Sequence, residues 1–432
     1  MCIIGQEIRF VNRVWPPGHQ VCSTADQQPL FARLWPVDKR RNLAAVSIHH
    51  IPVDVYYHEP SAMITENYPM RQRLTLLDLV EKHQLLDDAI REDRKHFVSD
   101  WNGTHPFVSE FLGPEILTRA VVTPDQARYL YFDEELDVLD AVRKLHETRE
   151  GLSLSRENVL AGPGSSSLLT ALCLWILHQG YREVYYIPPL YYTLHYFLRM
   201  LTVRPRPVTG KHAFEIGAAL NLPAKKALLL LCDPIWFAGR RVPPQMMETI
   251  ANWQRDTGSS VIIDGSFQFM QWENGGMECS SILDPELTFR VISPTKSLAI
   301  PCFRFAYLLH PAWSHRELLF LYENTVGGAT VGDVAFARRS LQVLRSDESN
   351  HRFTNYLKDN FELLIAKDVI HTRIVPDCGY FVFAVPRREL PRQIVMDQEY
   401  FELEGYPDHV RINLMLARNL YSEEFKETDS NL

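Results

Sequence analysis

The sequence predicts an α/β fold, with a large, doubly wound and mainly parallel sheet domain followed by a smaller α+β domain. The clearest indication is the run Ala-Leu-Leu-Leu-Leu at residues 227–231, because an uninterrupted apolar run is typical of a parallel strand covered on both faces. Short apolar runs, loops and helical patterns also alternate along residues 99–325. Finally, Asp264 ends the apolar run 260–263, at the position where open α/β sheets bind ligands.

The composition limits the classes of protein to which this chain can belong. The chain has 432 residues, 46% of them hydrophobic, which is enough for two or three domains. The net charge of -8 argues against a nucleic-acid or anionic-membrane partner, since both require a concentrated basic surface. Seven cysteines without C-x-x-C pairs predict reduced thiols in a cytoplasmic protein and no zinc cluster. We find no apolar run long enough for a membrane span and no signal-peptide pattern.

Three segments are predicted along the chain: an N-terminal extension at residues 1–98, the large domain at 99–325 and the small domain at 326–432. Within the extension, Leu74 to Phe97 carries apolar residues at helical spacing. Three histidines within residues 49–58 lack carboxylate or cysteine partners at ligand spacing, so no metal site is predicted. They are His49, His50 and His58.

A helix is predicted at Leu136 to Glu150, and residues 158–177 then predict a strand, a Gly/Ser turn and an apolar helix. The first N–H groups of that second helix, together with the hydroxyls of Ser165 and Ser166, would form a phosphate site. The alternative is an ordinary capped helix. Residues 182–187 predict the next strand, which ends before Tyr191.

One lysine has surroundings typical of a reactive amine. Lys296 follows the apolar strand 290–292 in a loop and precedes Leu-Ala-Ile, so apolar neighbours would lower its pKa. A lysine of this kind can act as a Schiff-base nucleophile. The alternative is a lysine of a surface loop.

The carboxyl-terminal part is predicted to contain helices at residues 334–344 and 355–365 and strands at 378–386 and 409–414. Arg411 lies on the last of these strands. An isolated arginine on a strand is often only a surface charge, but an arginine can also bind a carboxylate through two hydrogen bonds.

The pattern Ser293-x-x-Lys296, with Arg304 eight positions later, resembles the cofactor-lysine segment of the class I/II aminotransferases. These are fold-type I pyridoxal-phosphate (PLP) enzymes. The resemblance implies that PLP is bound covalently by Lys296. It also implies that Ser293, Arg304, Ser165 and Ser166 bind the PLP phosphate.

The resemblance assigns further residues around the cofactor ring. Asp264, 32 residues before Lys296, would pair with the pyridine nitrogen. Tyr191 would stack on the ring, with Tyr192 as the alternative; Tyr192 could equally belong, with His195 and Tyr196, to one face of a buried helix.

Two positions depart from the pattern of this family. Trp236 occupies the place of an asparagine, and Phe267 that of a tyrosine, both of which donate hydrogen bonds to the phenolic oxygen of PLP. The indole N–H of Trp236 can supply one donor, and Asp233 could intervene. We expect the changed donors to alter the proton affinity of the bound cofactor.

The resemblance also implies a substrate site and a homodimer. Arg411 would bind the substrate carboxylate, and Asn102 and Gly103 would lie beside the substrate. Either Tyr129 or Tyr131 would reach the phosphate of the neighbouring subunit's cofactor; packing under the helix that follows is the alternative.

The expected activity is an aminotransferase reaction that begins with deprotonation of the substrate α-carbon. One alternative is β- or γ-elimination, replacement or cyclisation, because the Asp-Gly-Ser-Phe segment at 264–267 is similar to that of capreomycidine synthase-type cyclases of specialised metabolism. A second alternative is a non-catalytic binding protein that retains the fold.

Overall fold

The computed structural model describes two β-sheets and the helices that cover them. The described residues are Phe107, 130–210, 219–273, 278–387, 396–401 and 403–415. Several sequence predictions lie outside these residues: the N-terminal extension with its helix and histidines, and the residues Asn102, Gly103 and Tyr129.

The larger sheet has seven strands in the order β1-β7-β6-β5-β4-β2-β3. Strand β7 runs antiparallel to β1 and β6, and the other neighbouring pairs are parallel. The sheet is therefore mainly parallel, and the predicted α/β fold is confirmed. Its strands are β1 (Val159–Gly162), β2 (Glu183–Tyr186), β3 (Arg204–Pro207), β4 (Leu228–Cys232), β5 (Ser260–Gly265), β6 (Thr288–Ile292) and β7 (Ala306–Leu309).

Helices cover both faces of this sheet. Leu228 and Leu230 of β4 belong to the apolar cluster that contains side chains of α2 (Ser165–His178) and α3 (Tyr192–Met200). Leu229 and Leu231 belong to a different cluster, which contains side chains of α4 (Pro244–Thr257). Successive side chains of a strand point to opposite faces, so a strand covered twice must be apolar throughout.

The helices around the sheet are α1 (Leu136–Glu150), α2 (Ser165–His178), α3 (Tyr192–Met200), α4 (Pro244–Thr257), the one-turn α5 (Pro294–Ser297) and α6 (His315–Val326). Of the helices in the described part of the chain, none is long and apolar enough to cross a membrane.

The smaller sheet follows two long helices, α7 (Val331–Arg345) and α8 (Asp347–Ala366). It contains three antiparallel strands in the order β10-β9-β8. They are β8 (Ile370–His371), β9 (Phe381–Pro386) and β10 (Val410–Asn413). Residues of β9, β10 and α8 share one apolar cluster with Phe267 and Met270, which follow β5.

The sheet topology brings several loops to one edge. Strands β1, β2, β4, β5 and β6 point the same way, because β1 and β6 are both antiparallel to β7. Their carboxyl ends meet there, and β7 begins at the same edge. The loops after these strands can therefore place side chains around one crevice.

Candidate active site

A cavity of about 240 Å³ lies at this edge and combines charged, hydroxyl and aromatic groups from both sheets. Its charged side chains are Lys296, Arg304, Arg411 and Asp264. Its hydroxyl groups include those of Ser165, Ser166 and Ser266. Its aromatic rings are those of Tyr191, Tyr192, Trp236, Phe267, Phe381 and Tyr400.

One end of the cavity suits a phosphate group. Helix α2 begins here at Ser165, and no side chain caps its N-terminus. Gly164, directly before it, has a φ of 94°, and a Cβ atom there would approach Nη2 of Arg304 to 2.5 Å. The absence of a side chain therefore leaves room for the guanidinium beside the helix start. Uncapped N–H groups, two serine hydroxyls and a cation together favour a dianion.

Lys296 lies on the short helix α5, although the sequence predicted a loop. Its neighbours are anchored on both sides: Ser297 Oγ donates to the carbonyl of Gln268 at 2.8 Å, and Thr295 Oγ1 donates to that of Phe305 at 2.8 Å. Burial lowers the pKa of Lys296 to about 8, and the positive charges of Arg304 and Arg411 act in the same direction. The amine is thus still mainly protonated at about pH 7, but it loses its proton more readily than an ordinary lysine.

Asp264, near the end of β5, supplies the carboxylate of the cavity. Its Oδ1 accepts hydrogen bonds from the backbone N–H of Ser266 at 3.2 Å and from its hydroxyl at 2.6 Å. Burial raises the pKa of Asp264, while the bonds from Ser266 and the charge of Lys296 act against that shift. Asp264 and Lys296 face the same cavity, as the sequence predicted.

The aromatic wall is held by contacts between its rings. Tyr191 and Trp236 meet edge to face, with ring centroids 5.9 Å apart. The hydroxyl of Tyr191 donates to that of Tyr192 at 3.4 Å. Phe267 packs against Tyr380 with a centroid distance of 5.3 Å. These rings make a largely apolar wall around the charged groups.

Arg411 enters the cavity from the smaller sheet, on β10. Its side chain is buried, with 1% of the residue exposed, so it is not the surface charge considered as the alternative. The guanidinium carbon lies 4.3 Å from the ring centre of Phe381 and 5.4 Å from that of Trp236. Cation–π contacts of this kind stabilise the buried charge and fix its position.

Comparison with known families decides the assignment. The family model described as aminotransferase class I and II matches residues 114–414. The chain belongs to this family. The predicted family is thus confirmed. A separate search of curated proteins finds no match.

Solved structures of this aminotransferase fold resemble the chain at low sequence identity. Substrate-bound BacF of Bacillus subtilis is 16% identical, with a TM-score of 0.64 over 82% of this chain and 95% of BacF. Aspartate aminotransferase of Thermotoga maritima is 13% identical, with a TM-score of 0.64 over 81% of this chain and 97% of that enzyme. At such identities the likeness shows the fold alone.

Within this aminotransferase fold, two residues assigned by sequence do not line the cavity. Ser293 is buried, and its hydroxyl donates to the carbonyl of Phe305 at 3.3 Å. Tyr131 is half-buried, directly before the 3-10 turn Phe132–Glu134. Asp233 also faces away: its Oδ1 accepts from the backbone N–H of Val242 at 3.0 Å. It therefore does not intervene beside Trp236.

Other residues of the cavity were not predicted from the sequence. Ser266 could have been found, since a serine two positions after an aspartate readily bonds to that carboxylate. Tyr400 and Phe381 carried no comparable signal, because they come from the distant smaller sheet and the segment 396–401 beside it.

A buried polar network also supports the loop after β5. Gln268 donates from Nε2 to the carbonyl of Asp233 at 3.2 Å and to Ser280 Oγ at 2.9 Å. Its Oε1 accepts from Nη2 of Arg290 at 2.8 Å, and Arg290 also makes two hydrogen bonds to Glu150. The network ties the loops after β4 and β5 to strand β6.

Proposed function

We propose that this protein binds pyridoxal phosphate and transfers the amino group of an amino acid. The observation that carries the proposal is the presence of Lys296, Asp264 and an anion-binding helix start in one cavity. A lysine with a lowered pKa, a buried carboxylate and a phosphate site meet the three chemical requirements of that cofactor.

The chain's residues fit the cofactor as follows. The start of α2, with Ser165, Ser166 and Arg304, binds the phosphate. Lys296 supplies the amine that holds the cofactor. Asp264 would pair with the pyridine nitrogen, where its negative charge would favour the protonated ring. Tyr191 provides an aromatic face against which the ring packs.

When bound, PLP supplies an electron-withdrawing ring that stabilises negative charge developing at the substrate α-carbon. Arg411 binds the α-carboxylate of the substrate through its guanidinium. Lys296, with a pKa of about 8, takes the proton from the α-carbon as a general base. The aromatic rings limit the access of water to this proton transfer.

Trp236 and Phe267 border the cavity at the places where other members of the family carry hydrogen-bond donors. Phe267 has no donor at all, and the indole of Trp236 has one. We infer that the phenolic oxygen of the cofactor receives fewer hydrogen bonds here. We also infer that the protein is a homodimer whose small-molecule substrate is an amino acid.

The test compares the purified protein with its Lys296→Ala variant after incubation with PLP. We expect the visible absorbance of a covalently held cofactor in the native protein and its loss in the variant. Lys225→Ala, which removes an exposed lysine, is the matched control and should keep the absorbance. An identical spectrum in the native protein and Lys296→Ala would contradict the assignment of the lysine.

A single turnover without an amino acceptor tests the reaction. Transamination should produce one keto acid and one pyridoxamine phosphate per active site. Release of ammonia without pyridoxamine phosphate, or a cyclic amino acid, would instead indicate elimination or cyclisation.

A further inference from the structure

Each charged side chain of the cavity already has a role in the proposed function. Arg304 lies beside the phosphate-binding helix start, Arg411 binds the substrate carboxylate, and Lys296 and Asp264 serve the cofactor. Among the described residues that line the cavity, no further cation remains for a side-chain carboxylate. Likewise, no further carboxylate remains for a side-chain ammonium group. A charge enclosed without a partner is strongly unfavourable.

The remaining lining near Arg411 is aromatic. Its guanidinium lies over Phe381 and Trp236, and Trp236 contacts Tyr191. Tyr191 in turn contacts Tyr192, with ring centroids 4.6 Å apart. When Arg411 binds the carboxylate of a substrate, the side chain of that substrate therefore lies among these rings.

Two tyrosines from distant parts of the chain meet in this aromatic region. Tyr192 is the first residue of α3, beside the large sheet, whereas Tyr400 belongs to the segment 396–401 near the smaller sheet. Their rings meet edge to face at 6.2 Å. Phe401, next to Tyr400, stacks on Phe237 with centroids 4.0 Å apart, which anchors this segment.

We propose that the substrate is an amino acid with a large, uncharged aromatic side chain, and that Tyr192 and Tyr400 select it. This inference rests on the proposed function, since it takes Arg411 as the carboxylate site. An aromatic side chain can meet both rings edge to face, an arrangement that aromatic pairs prefer. An aspartate or lysine side chain would bring a charge into the same space without a partner.

The test measures the half-reaction of the PLP-loaded protein with single amino acids, followed by the change in cofactor absorbance. We expect L-phenylalanine and L-tyrosine to react about 100-fold more efficiently than L-aspartate or L-lysine, because the charged side chains must be desolvated. L-Alanine serves as the small, uncharged reference.

The outcomes separate this inference from the proposed function. If aspartate or lysine reacts as efficiently as phenylalanine, the aromatic preference is wrong while the transamination proposal stands. If the protein holds the cofactor but no amino acid changes its spectrum, both are wrong.

Variants test the two tyrosines. Tyr192→Leu and Tyr400→Leu should each lower the ratio of phenylalanine to alanine efficiency about 10-fold, through the loss of one ring contact. Tyr196→Leu is the matched control, because Tyr196 is on the same helix as Tyr192 but does not line the cavity. Cofactor absorbance and circular dichroism show that each variant is folded.

Tyr400→Arg offers a second measurement, in which the expected result is a gain of activity with one substrate and not a loss of activity. It places a cation in the aromatic region and should raise the efficiency with aspartate relative to phenylalanine about 10-fold or more. Unchanged ratios in folded Tyr192→Leu, Tyr400→Leu and Tyr400→Arg would show that these tyrosines do not contact the substrate side chain.

Discussion

Two buried carboxyl groups near the site are incompletely hydrogen-bonded. Glu278 accepts from the backbone N–H of Phe269 at 2.6 Å, and Asp233 accepts from that of Val242. Glu278 Oε2 and Asp233 Oδ2 have no hydrogen-bond partner in the described part of the chain. Burial raises the pKa of Glu278 to about 8 and that of Asp233 to about 6. Glu278 is therefore mainly protonated at neutral pH.

Replacing Glu278 with glutamine should stabilise the protein most at high pH. The native state binds a proton at Glu278 up to a pKa of about 8, whereas the unfolded chain releases it near the ordinary value of 4.5. Stability of the native protein therefore falls as pH rises from 4.5 through 8. Glu278→Gln removes this loss, and its gain in unfolding free energy should reach on the order of 4 kcal/mol at pH 8.

Denaturant unfolding at pH 5 and pH 8 measures this difference. Glu286→Gln is the control, because Glu286 is exposed. A gain for Glu278→Gln that is equal at both pH values would show that Glu278 does not titrate in this range.

Helix α1 and strand β6 are joined by a buried ion pair. Arg290 donates to Glu150 through Nη1 at 3.1 Å and through Nη2 at 2.8 Å. Glu150 also contacts Nδ1 of His146 at 2.7 Å, and the other ring nitrogen of His146 contacts the hydroxyl of Tyr307 on β7. Burial would raise the pKa of Glu150, but Arg290 and His146 outweigh it and hold that pKa well below its usual value. The pair keeps α1 in register with the sheet that carries Lys296.

Arg290→Met should destabilise the protein by about 3–5 kcal/mol, because it leaves the Glu150 carboxylate buried without its cation. The double variant Arg290→Met/Glu150→Leu should recover most of that loss, since it removes both charges. Arg338→Met is the surface control: Arg338 pairs with Glu135 and Asp137 at 44% exposure and should cost less than about 1 kcal/mol.

Urea unfolding of the three variants and the native chain would establish these values, and near-ultraviolet circular dichroism would confirm their native packing. If Arg290→Met costs no more than Arg338→Met, the buried pair does not hold α1 to the sheet.

At the scale of the whole molecule, one cavity depends on both sheets. The large sheet and its loops contribute Lys296, Asp264 and the start of α2, and the smaller sheet contributes Arg411 and Phe381. The apolar cluster around Phe267 also contains residues of β9 and β10, so the floor of the cavity is packed against both. The relative position of the sheets therefore sets the distance between the Lys296 amine and the Arg411 guanidinium.

The proposed homodimer predicts a particle of twice the 50.0 kDa chain mass. Sedimentation velocity of the PLP-loaded protein at micromolar concentration should show this species, because obligate interfaces remain assembled under such conditions. A single 50.0 kDa species that retains both cofactor and activity would contradict the homodimer.

The chain's local patterns were sufficient to predict several of its elements. Helix α1 lies at Leu136–Glu150 as predicted, and β4 follows the apolar run at 227–231 within one residue. Lys296 and Asp264 could also be placed together from sequence, because the carboxyl ends of parallel strands share an edge. Helical periodicity and apolar runs are properties of short segments, and the sequence by itself determined them.

Only the tertiary structure decided which side chains face the cavity. Ser293 turns towards the carbonyl of Phe305, and Asp233 towards the N–H of Val242, although both lie in loops at the correct edge. Tyr400 enters the cavity from a segment far along the chain. These orientations depend on hydrogen bonds and ring contacts between distant residues, which no local pattern encodes.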